Sequence, residues 1–147
     1  MKTTVKEVLD QKGREIYSIR SDAPVKEALK KMQLKEIGAL MVIDDGKLVG
    51  IFSERDYVRK ILKENLNDSM LVKDFMSTKL VAVNSNTTIS ECMALMTQKK
   101  IRHLPVIDNN VIGGLISIGD VVNTIIQQQH LTIKDLEKYI LGGYGTE

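Results

Sequence analysis

Two turns in the sequence place a serine and an aspartate where they could hold a phosphate and a ribose. The turns are Gly50–Asp56 (GIFSERD) and Gly114–Asp120 (GLISIGD), and both read glycine, two apolar residues, serine, two variable residues and aspartate. Each follows an apolar run of strand type and opens a helical pattern, so each lies where a strand meets a helix. The free amides at a helix start suit a phosphate, and a carboxylate one turn later can accept both hydroxyls of a ribose.

A second interpretation of these turns is purely structural. Serine followed three residues later by an acid is a helix-capping signature, which is common wherever a helix follows a strand. Capping does not explain the glycine three residues before each serine, which lets another group approach the backbone. It also does not favour aspartate, because glutamate or glutamine reaches back more readily. The presence of two copies favours the binding interpretation without removing the capping alternative.

The two turns belong to an internal duplication. When residues 21–62 are set over residues 85–126 without a gap, 14 of 42 pairs are identical, at a constant offset of 64. Each copy reads strand, helix, strand, strand, helix, and a three-stranded sheet of this size cannot bury its own helices. We therefore predict an α+β domain in which two β-α-β-β-α units pack with pseudo-twofold symmetry around a cleft. The predicted boundaries are residues 5–66, residues 70–128, and a C-terminal helix with a loose tail over residues 129–147.

The individual elements follow from periodicity and turn signals. A capping-box spacing at Thr4 predicts a short leading helix, which Val72–Met76 echoes at an offset of 67. The predicted strands are Ile16–Ile19, Ala39–Ile43, Lys47–Phe52, Leu80–Val83, Leu104–Ile107 and Val111–Ile116. Helices are expected after Pro24, Ser53, Thr88, Ser117 and Thr132.

Composition excludes several classes of protein. Hydrophobic residues make up 43% of the 147 residues and charged residues 27%, which is ordinary for a globular domain. The net charge is +2 and aromatic residues are 4% with no tryptophan, which argues against a nucleic-acid binder. A single cysteine, Cys92, excludes an intrachain disulfide, and we expect it in the core. Because no signal peptide or membrane span is evident, we expect a soluble, cytoplasmic protein with no membrane partner.

With Arg102–Val106 (RHLPV), the tandem units and the two turns resemble paired cystathionine β-synthase (CBS) domains, known as the Bateman module. The resemblance covers nearly all of Val5–Gln127, and Ile133–Gly145 is similar to the tail of small stand-alone bacterial CBS proteins. It implies a non-catalytic regulatory module that binds AMP, ADP, ATP or NAD(H) between its halves and signals to a protein partner. S-adenosylmethionine is the alternative ligand.

The resemblance also implies roles for particular residues. Asp56 and Asp120 would hold ribose hydroxyls, Ser53 and Ser117 would contact phosphate or ribose, and the segments before the first strands would border the base. The whole predicted ligand-binding set is Ile16, Tyr17, Ser18, Gly38, Ala39, Ser53, Arg55, Asp56, Thr78, Lys79, Leu80, Val81, Arg102, His103, Leu104, Pro105, Ser117, Ile118, Gly119 and Asp120.

The two halves differ where the family places its phosphate contacts. The second half has Arg102 and His103, which would face phosphate, whereas the first has Gly38 and Ala39. Arg55 could compensate in the first half. We expect the pocket with Asp120, Ser117 and the Arg102–His103 pair to hold a phosphorylated ligand more tightly, although phosphates lie near the pseudo-twofold axis in this family and Arg102 could serve either half. His103 has a structural alternative, since a lone histidine near a strand is more often a hydrogen-bonded structural residue.

An enzyme is the competing class of function. Ser117, His103 and Asp120 have the residue types of a hydrolase, but the turn is not a G-x-S-x-G nucleophile elbow. Neither histidine has another histidine or a cysteine at metal-ligand spacing. The sequence thus predicts no catalytic residue, metal or catalytic cofactor. The apolar helix carrying Val121, Val122, Ile125 and Ile126, together with the resemblance, predicts a homodimer.

Overall fold

The computed structural model describes residues 2–62 and 69–129. The helix predicted after Thr132 and the tail lie outside these residues. The helices are α1 (Val5–Lys12), α2 (Val25–Lys35), α3 (Glu54–Ile61), α4 (Val72–Phe75), α5 (Ile89–Lys99) and α6 (118–129), and the strands are β1 (Ser18–Ile19), β2 (Ala39–Asp44), β3 (Lys47–Ser53), β4 (His103–Asp108) and β5 (Val111–Ser117). Within this part of the chain, no helix is both long and apolar enough to cross a membrane.

The first half forms a three-stranded sheet in the order β1-β2-β3, with β1 parallel and β3 antiparallel to β2. The run Ala39–Val42 is buried throughout, which explains its continuous apolar sequence. Asp45 and Gly46 connect β2 to β3 with φ of 50° and 81°, the left-handed conformation that a two-residue hairpin loop requires. The two strands predicted at Ala39–Ile43 and Lys47–Phe52 are confirmed.

The second half repeats the hairpin but loses the third strand. The prediction of a strand at Leu80–Val83 is wrong, since only Val83 forms a bridge, to Val106. In the first half, the Met41 amide donates to the Tyr17 carbonyl at 3.0 Å and extends the parallel ladder. The position equivalent to Met41 is Pro105, which has no N–H, so this hydrogen bond cannot form.

Each leading helix packs on the other half. The Val5 amide donates to the Thr87 carbonyl at 2.8 Å, and Val5, Val8 and Leu9 are buried in the core of the second half. In the same way, α4 lies on the core of the first half, where the amide of Val72 donates to the carbonyl of Ala23 at 2.9 Å. The exchange of the leading helices ties the two halves together.

The glycines of the two turns accommodate these exchanged segments. A Cβ on Gly50 would lie 2.6 Å from Sδ of Met76, and one on Gly114 would lie 2.9 Å from Cδ2 of Leu9. The expected close approach is therefore real. The group that approaches is an apolar side chain of the opposite half, Leu9 from within α1 or Met76 from the residue after α4.

Candidate functional site

The first turn caps α3. The Asp56 amide donates to Ser53 Oγ at 3.1 Å, and the Ser53 hydroxyl donates to Asp56 Oδ2 at 3.0 Å. Ser53 is buried at the end of β3, so its cap fixes the first turn of the helix. The Asp56 carboxylate is consequently held at the mouth of a small pocket.

The second turn forms a complete capping box. The Asp120 amide donates to Ser117 Oγ at 3.1 Å, and Asp120 Oδ2 accepts from the Ser117 amide at 2.8 Å. Although a capping box favours glutamate or glutamine over aspartate, the carboxylate of Asp120 does reach back to the Ser117 amide. Capping and ligand binding are thus compatible functions of the second turn. The hydrogen bonds that Asp120 accepts within the described residues go to Oδ2, so Oδ1 can still accept from a ligand.

A cleft of about 650 Å³ lies between the halves, and Asp120 and Ser117 line it. A volume of this size is in the usual range for a small-molecule site. The first half contributes residues before β1 and around the start of β2, and the second half contributes the ends of β4 and β5. The lining comprises Lys12, Gly13, Arg14, Glu15, Tyr17, Glu36, Ile37, Gly38, Ala39, Met41, His103, Leu115, Ser117 and Asp120.

A second pocket, of about 90 Å³, is the pseudo-symmetric counterpart of the cleft. Ser53 and Asp56 replace Ser117 and Asp120, and the other wall comes from the second half. Its lining comprises Ile51, Ser53, Arg55, Asp56, Arg59, Ser77, Lys79, Leu80, Lys100, Ile101, Arg102 and His103. His103 lines both pockets.

The predicted site residues divide between these pockets and the rest of the fold. Those that line neither are Ile16, Ser18, Thr78, Val81, Leu104, Pro105, Ile118 and Gly119. Leu104 is fully buried in the core cluster of the second half, so its side chain cannot contact a ligand. Alternation along β4 explains this, because Leu104 and its neighbour His103 point to opposite faces.

The expected grouping of Arg102 with Asp120 is wrong. Each pocket combines the serine and aspartate of one half with the start of the first hairpin strand of the other. Arg102 therefore lies with Asp56, whereas Gly38 and Ala39 lie with Asp120. Arg55 does not compensate for Gly38, because it lines the same pocket as Arg102. The sequence comparison paired residues within one half, and the two halves face each other across the pseudo-twofold axis.

Lys12 is the functional candidate that the sequence did not show. Its Nζ donates to Asp120 Oδ2 at 2.6 Å and to the Leu115 carbonyl at 2.9 Å, from the last turn of the exchanged helix α1. The contact joins residues 108 positions apart, and a lysine at the end of a short helix has no local signal for it. The carboxylate that we assign to ribose is therefore already paired with a cation.

His103 lies between the charges of both pockets. Burial lowers the pKa of His103, and the cations Lys12 and Arg102 lower it further, whereas the carboxylates Asp56 and Asp120 oppose the shift. Desolvation is the largest of these effects. A neutral imidazole at this position can accept a hydrogen bond from a ligand, and a phosphate beside it would favour its protonated form.

The residue types of a metal site do not cluster, and those of a hydrolase are not joined as a catalytic pair, in the part of the chain that the structure describes. Among residues 2–62 and 69–129, no three histidine, cysteine or acidic side chains cluster as metal ligands would. His103 and Ser117 are cross-strand partners, but no hydrogen bond joins their side chains in the described part of the chain. Ser117 Oγ serves the helix cap instead.

Comparisons with known proteins agree with this architecture. The family model for the CBS domain matches residues 3–63 and 72–127. A mitochondrial CBS domain-containing protein of Arabidopsis thaliana, CBSX3, is 37% identical, over 97% of this chain and 74% of its own.

Solved structures give the same result. A signal-transduction protein with CBS domains from Burkholderia ambifaria is 44% identical with a TM-score of 0.82, covering 86% of this chain and 96% of its own. The CBS domain pair of protein MJ0100, solved with 5′-methylthioadenosine and S-adenosyl-L-methionine, is 22% identical with a TM-score of 0.76, covering 87% of this chain and 99% of its own. The chain belongs to the CBS domain family, and it carries two CBS domains in tandem.

Proposed function

We propose that the protein is a non-catalytic regulatory module that binds an adenosine-derived ligand between its CBS domains and signals occupancy to a partner. AMP, ADP, ATP and NAD(H) are the proposed ligands, and S-adenosylmethionine is the alternative. The observation that carries the proposal is the 650 Å³ cleft, in which a helix-capping carboxylate faces an apolar wall from the other half.

The cleft offers separate surfaces to the parts of a nucleoside. Tyr17, Ile37, Ala39 and Met41 form an apolar wall that suits an adenine ring. Asp120 lies opposite, at the start of α6, where its carboxylate can accept ribose hydroxyls. A ligand seated here would contact both halves at once.

Contact with both halves supports a regulatory role. A ligand shifts a conformational equilibrium by its difference in affinity for the two states, and a ligand that bridges two units favours the arrangement that fits it. Because α1 and α4 are exchanged between the halves, a change in their relative position would also move Lys12, which contacts Asp120. The signal would reach a partner through this movement.

The CBS domain pair of MJ0100 shares the fold, and both ligands in its structure are derivatives of adenosine. Its identity of 22% carries the fold alone, so the ligand class for this chain rests on the cleft.

The first experiment is identification of any ligand retained by freshly purified, denatured protein, by mass spectrometry. A thermal-shift screen of nucleotide-free protein with AMP, ADP, ATP, NAD and S-adenosylmethionine follows. A ligand at 100 times its Kd stabilises the folded state by about 2.7 kcal/mol. An adenosine compound that stabilises wild type but not Asp120→Asn supports the proposal, and no response at millimolar concentrations, or turnover of the nucleotide on chromatography, contradicts it.

A further inference from the structure

A third pocket, of about 210 Å³, lies between α1 and α6. Each helix turns one face toward it, because the lining residues recur at spacings of three and four along both helices. The lining comprises Val8, Gln11, Lys12, Asp120, Asn123, Thr124 and Gln127. Lys12 and Asp120 also line the large cleft, so their ion pair forms part of the wall of both pockets.

The side chains of this third pocket offer oxygen atoms to a cation. Gln11, Asn123 and Gln127 each carry a carboxamide oxygen that accepts hydrogen bonds. Among residues 2–62 and 69–129, no group bonds to these three carboxamides, so their oxygens can accept from an ammonium group. Lys12 is the one basic side chain in the described lining. The pocket therefore suits the ammonium group of Lys12 itself.

Lys12 can exchange between the cleft and the third pocket by rotation of its side chain. Its four-carbon stem is flexible, its ammonium group has three donors, and the same side chain already lines both pockets. In its pair with Asp120 the lysine side chain is 38% exposed, and ion pairs of this exposure are held weakly. A pocket of about 210 Å³ has more room than an ammonium group needs. A ligand that takes Asp120 can therefore displace Lys12 by side-chain rotation alone.

The first half lacks this arrangement in the residues that the structure describes. The counterpart of Lys12, at the offset of 67 that the leading segments share, is Lys79. Its Nζ donates to the Lys99 carbonyl at 2.8 Å instead of pairing with the aspartate of its turn. Two of the polar residues on α6 are replaced by cations on α3, which would repel a second ammonium group. The pairs are Asn123 with Arg59 and Thr124 with Lys60. The alternative position for a lysine is thus specific to the half that carries Asp120.

We propose that Lys12 is a two-position switch. Its ammonium group pairs with Asp120 when the cleft is free and moves to the carboxamide oxygens between α1 and α6 when a ligand occupies Asp120. The identity of the ligand rests on the proposed function, whereas the second position of Lys12 does not. The move changes the contacts of α6, whose exposed apolar residues Val122 and Ile126 adjoin the carboxamides in sequence. Occupancy of the cleft is thereby passed to an exposed helix of the module.

The first test uses the free protein and needs no ligand. Asp120→Ala removes the carboxylate that holds Lys12, while Ser117 can still cap α6 because its Oγ accepts from the backbone amide of residue 120. Peptide mass spectrometry gives the rate at which acetic anhydride acetylates Lys12, with Lys6 on the same helix as the internal reference. In the Asp120→Ala background, adding Asn123→Ala/Gln127→Ala should raise that rate at least about twofold, because the amine then loses its second position.

Gln33→Ala/Gln98→Ala is the matched control in the same Asp120→Ala background. It removes two exposed carboxamides, on α2 and α5, that line none of the three pockets, so it should leave the rate unchanged. Equal rates for Lys12 with and without the carboxamides of Asn123 and Gln127 would overturn the second position, whether the shared rate is slow or fast. An equal rise in the control would overturn it as well.

The second test is calorimetry with adenosine as the probe. Asn123→Ala/Gln127→Ala should bind adenosine about two- to fivefold more weakly than wild type, because the displaced Lys12 loses its acceptors. The same two substitutions should have no effect in a Lys12→Met background. Equal losses of affinity with lysine and with methionine at position 12 would overturn the switch, since the carboxamides would then act without Lys12.

The two tests separate this inference from the proposed function. A protein that binds no adenosine, but in which Asn123 and Gln127 slow the acetylation of Lys12 once Asp120 is removed, would refute the proposed function and leave the second position of Lys12 standing. A protein that binds adenosine through Asp120 without any effect of the two carboxamides would keep the proposed function and refute the switch.

Discussion

Lys12 is paired with the carboxylate of Asp120. Under the proposed function, its ammonium group would be displaced from Asp120, or would share it, when two ribose hydroxyls bind there. The ion pair is partly exposed, with 38% of the Lys12 and 18% of the Asp120 side chain accessible, and pairs of this kind are worth about 0.2–1 kcal/mol.

We therefore expect Lys12→Met to raise the affinity for adenosine by up to about fivefold, because the competing cation is removed. Lys6→Met is the matched control, since Lys6 lies on the same helix and pairs with Asp10 instead. Calorimetric titration of both variants measures the change. Weaker binding by Lys12→Met alone would mean that Lys12 contacts the ligand itself.

His103 makes the free energy of unfolding depend on pH below neutrality. Its pKa in the folded state is below the ordinary 6.5, so the unfolded chain binds the proton more readily as pH falls. The contribution of neutral His103 to the free energy of unfolding is fully present above pH 6.5. It decreases as pH falls from there through the lower pKa of the folded state. The groups that set the shift besides burial are Asp56, Asp120, Lys12 and Arg102.

The prediction is that His103→Gln loses less free energy of unfolding than wild type between pH 7.5 and pH 5.5. Denaturant titration at both pH values measures it, and the difference between them removes any constant effect of the substitution. An identical pH dependence in wild type and His103→Gln would contradict this, because it would mean that His103 binds its proton equally well in the folded and unfolded states.

At the scale of elements, the motif glycines hold the exchanged segments in place. Ala at Gly50 would meet Met76 and the Ser77 carbonyl, and Ala at Gly114 would meet Leu9. Forcing a methyl group into packing this close costs about 1–3 kcal/mol.

Gly50→Ala and Gly114→Ala should each lower the free energy of unfolding by that amount. Gly113→Ala is the control, because a Cβ there meets its nearest neighbours at 3.8 Å and fits without a shift. Chemical denaturation of the three variants provides the comparison. Equal stability of Gly114→Ala and Gly113→Ala would contradict the proposed packing of α1.

Much of the order of helices and strands was predictable, because hydrophobic periodicity and turn residues depend only on neighbours in the sequence. The hairpins at Asp45 and Asn109, the caps at Thr4 and Thr88 and the core position of Cys92 follow from residues within a few positions. Burial raises the pKa of the Cys92 thiol to about 11, as expected for an inert core residue.

The features that the sequence did not show depend on contacts between residues far apart in the chain. The exchange of α1 and α4 is decided by packing between halves, and the contact of Lys12 with Asp120 follows from that exchange. The loss of the strand before Val83 had a local signal in Pro105, whose missing N–H shortens the ladder. The charge differences Glu36 to Lys100 and Gly38 to Arg102 were visible in the alignment of the halves, but their grouping required knowledge of which half faces which.

At the scale of the whole molecule, two helices expose apolar side chains at equivalent positions. Val58 and Leu62 on and after α3 are 57% and 86% exposed, and their counterparts Val122 and Ile126 on α6 are 47% and 53% exposed. Val121 and Ile125, which the sequence groups with these exposed residues, pack in or against the core instead. The exposed apolar positions are thus repeated in both halves, and apolar residues exposed together mark interaction sites.

We expect a homodimer in which these surfaces meet. Light scattering at tens of micromolar should give twice the 16.5 kDa of one chain, and Ile126→Glu should return it toward the monomer. Val111→Glu is the control, since Val111 is 65% exposed at the start of β5 and lies on neither helix. A monomer in wild type, or an unaffected dimer in Ile126→Glu, would contradict this interface.

The central claim is that an adenosine-derived ligand binds in the cleft at Asp120. The most direct measurement is calorimetric titration of adenosine into wild type, Asp120→Asn and Asp56→Asn, with each variant's melting temperature confirming that it is folded. Asparagine keeps a cap acceptor at either position but removes the negative charge to which the proposal assigns the ribose hydroxyls. We predict that Asp120→Asn weakens adenosine binding by about tenfold or more while Asp56→Asn leaves it unchanged. Unchanged binding in Asp120→Asn would contradict the account.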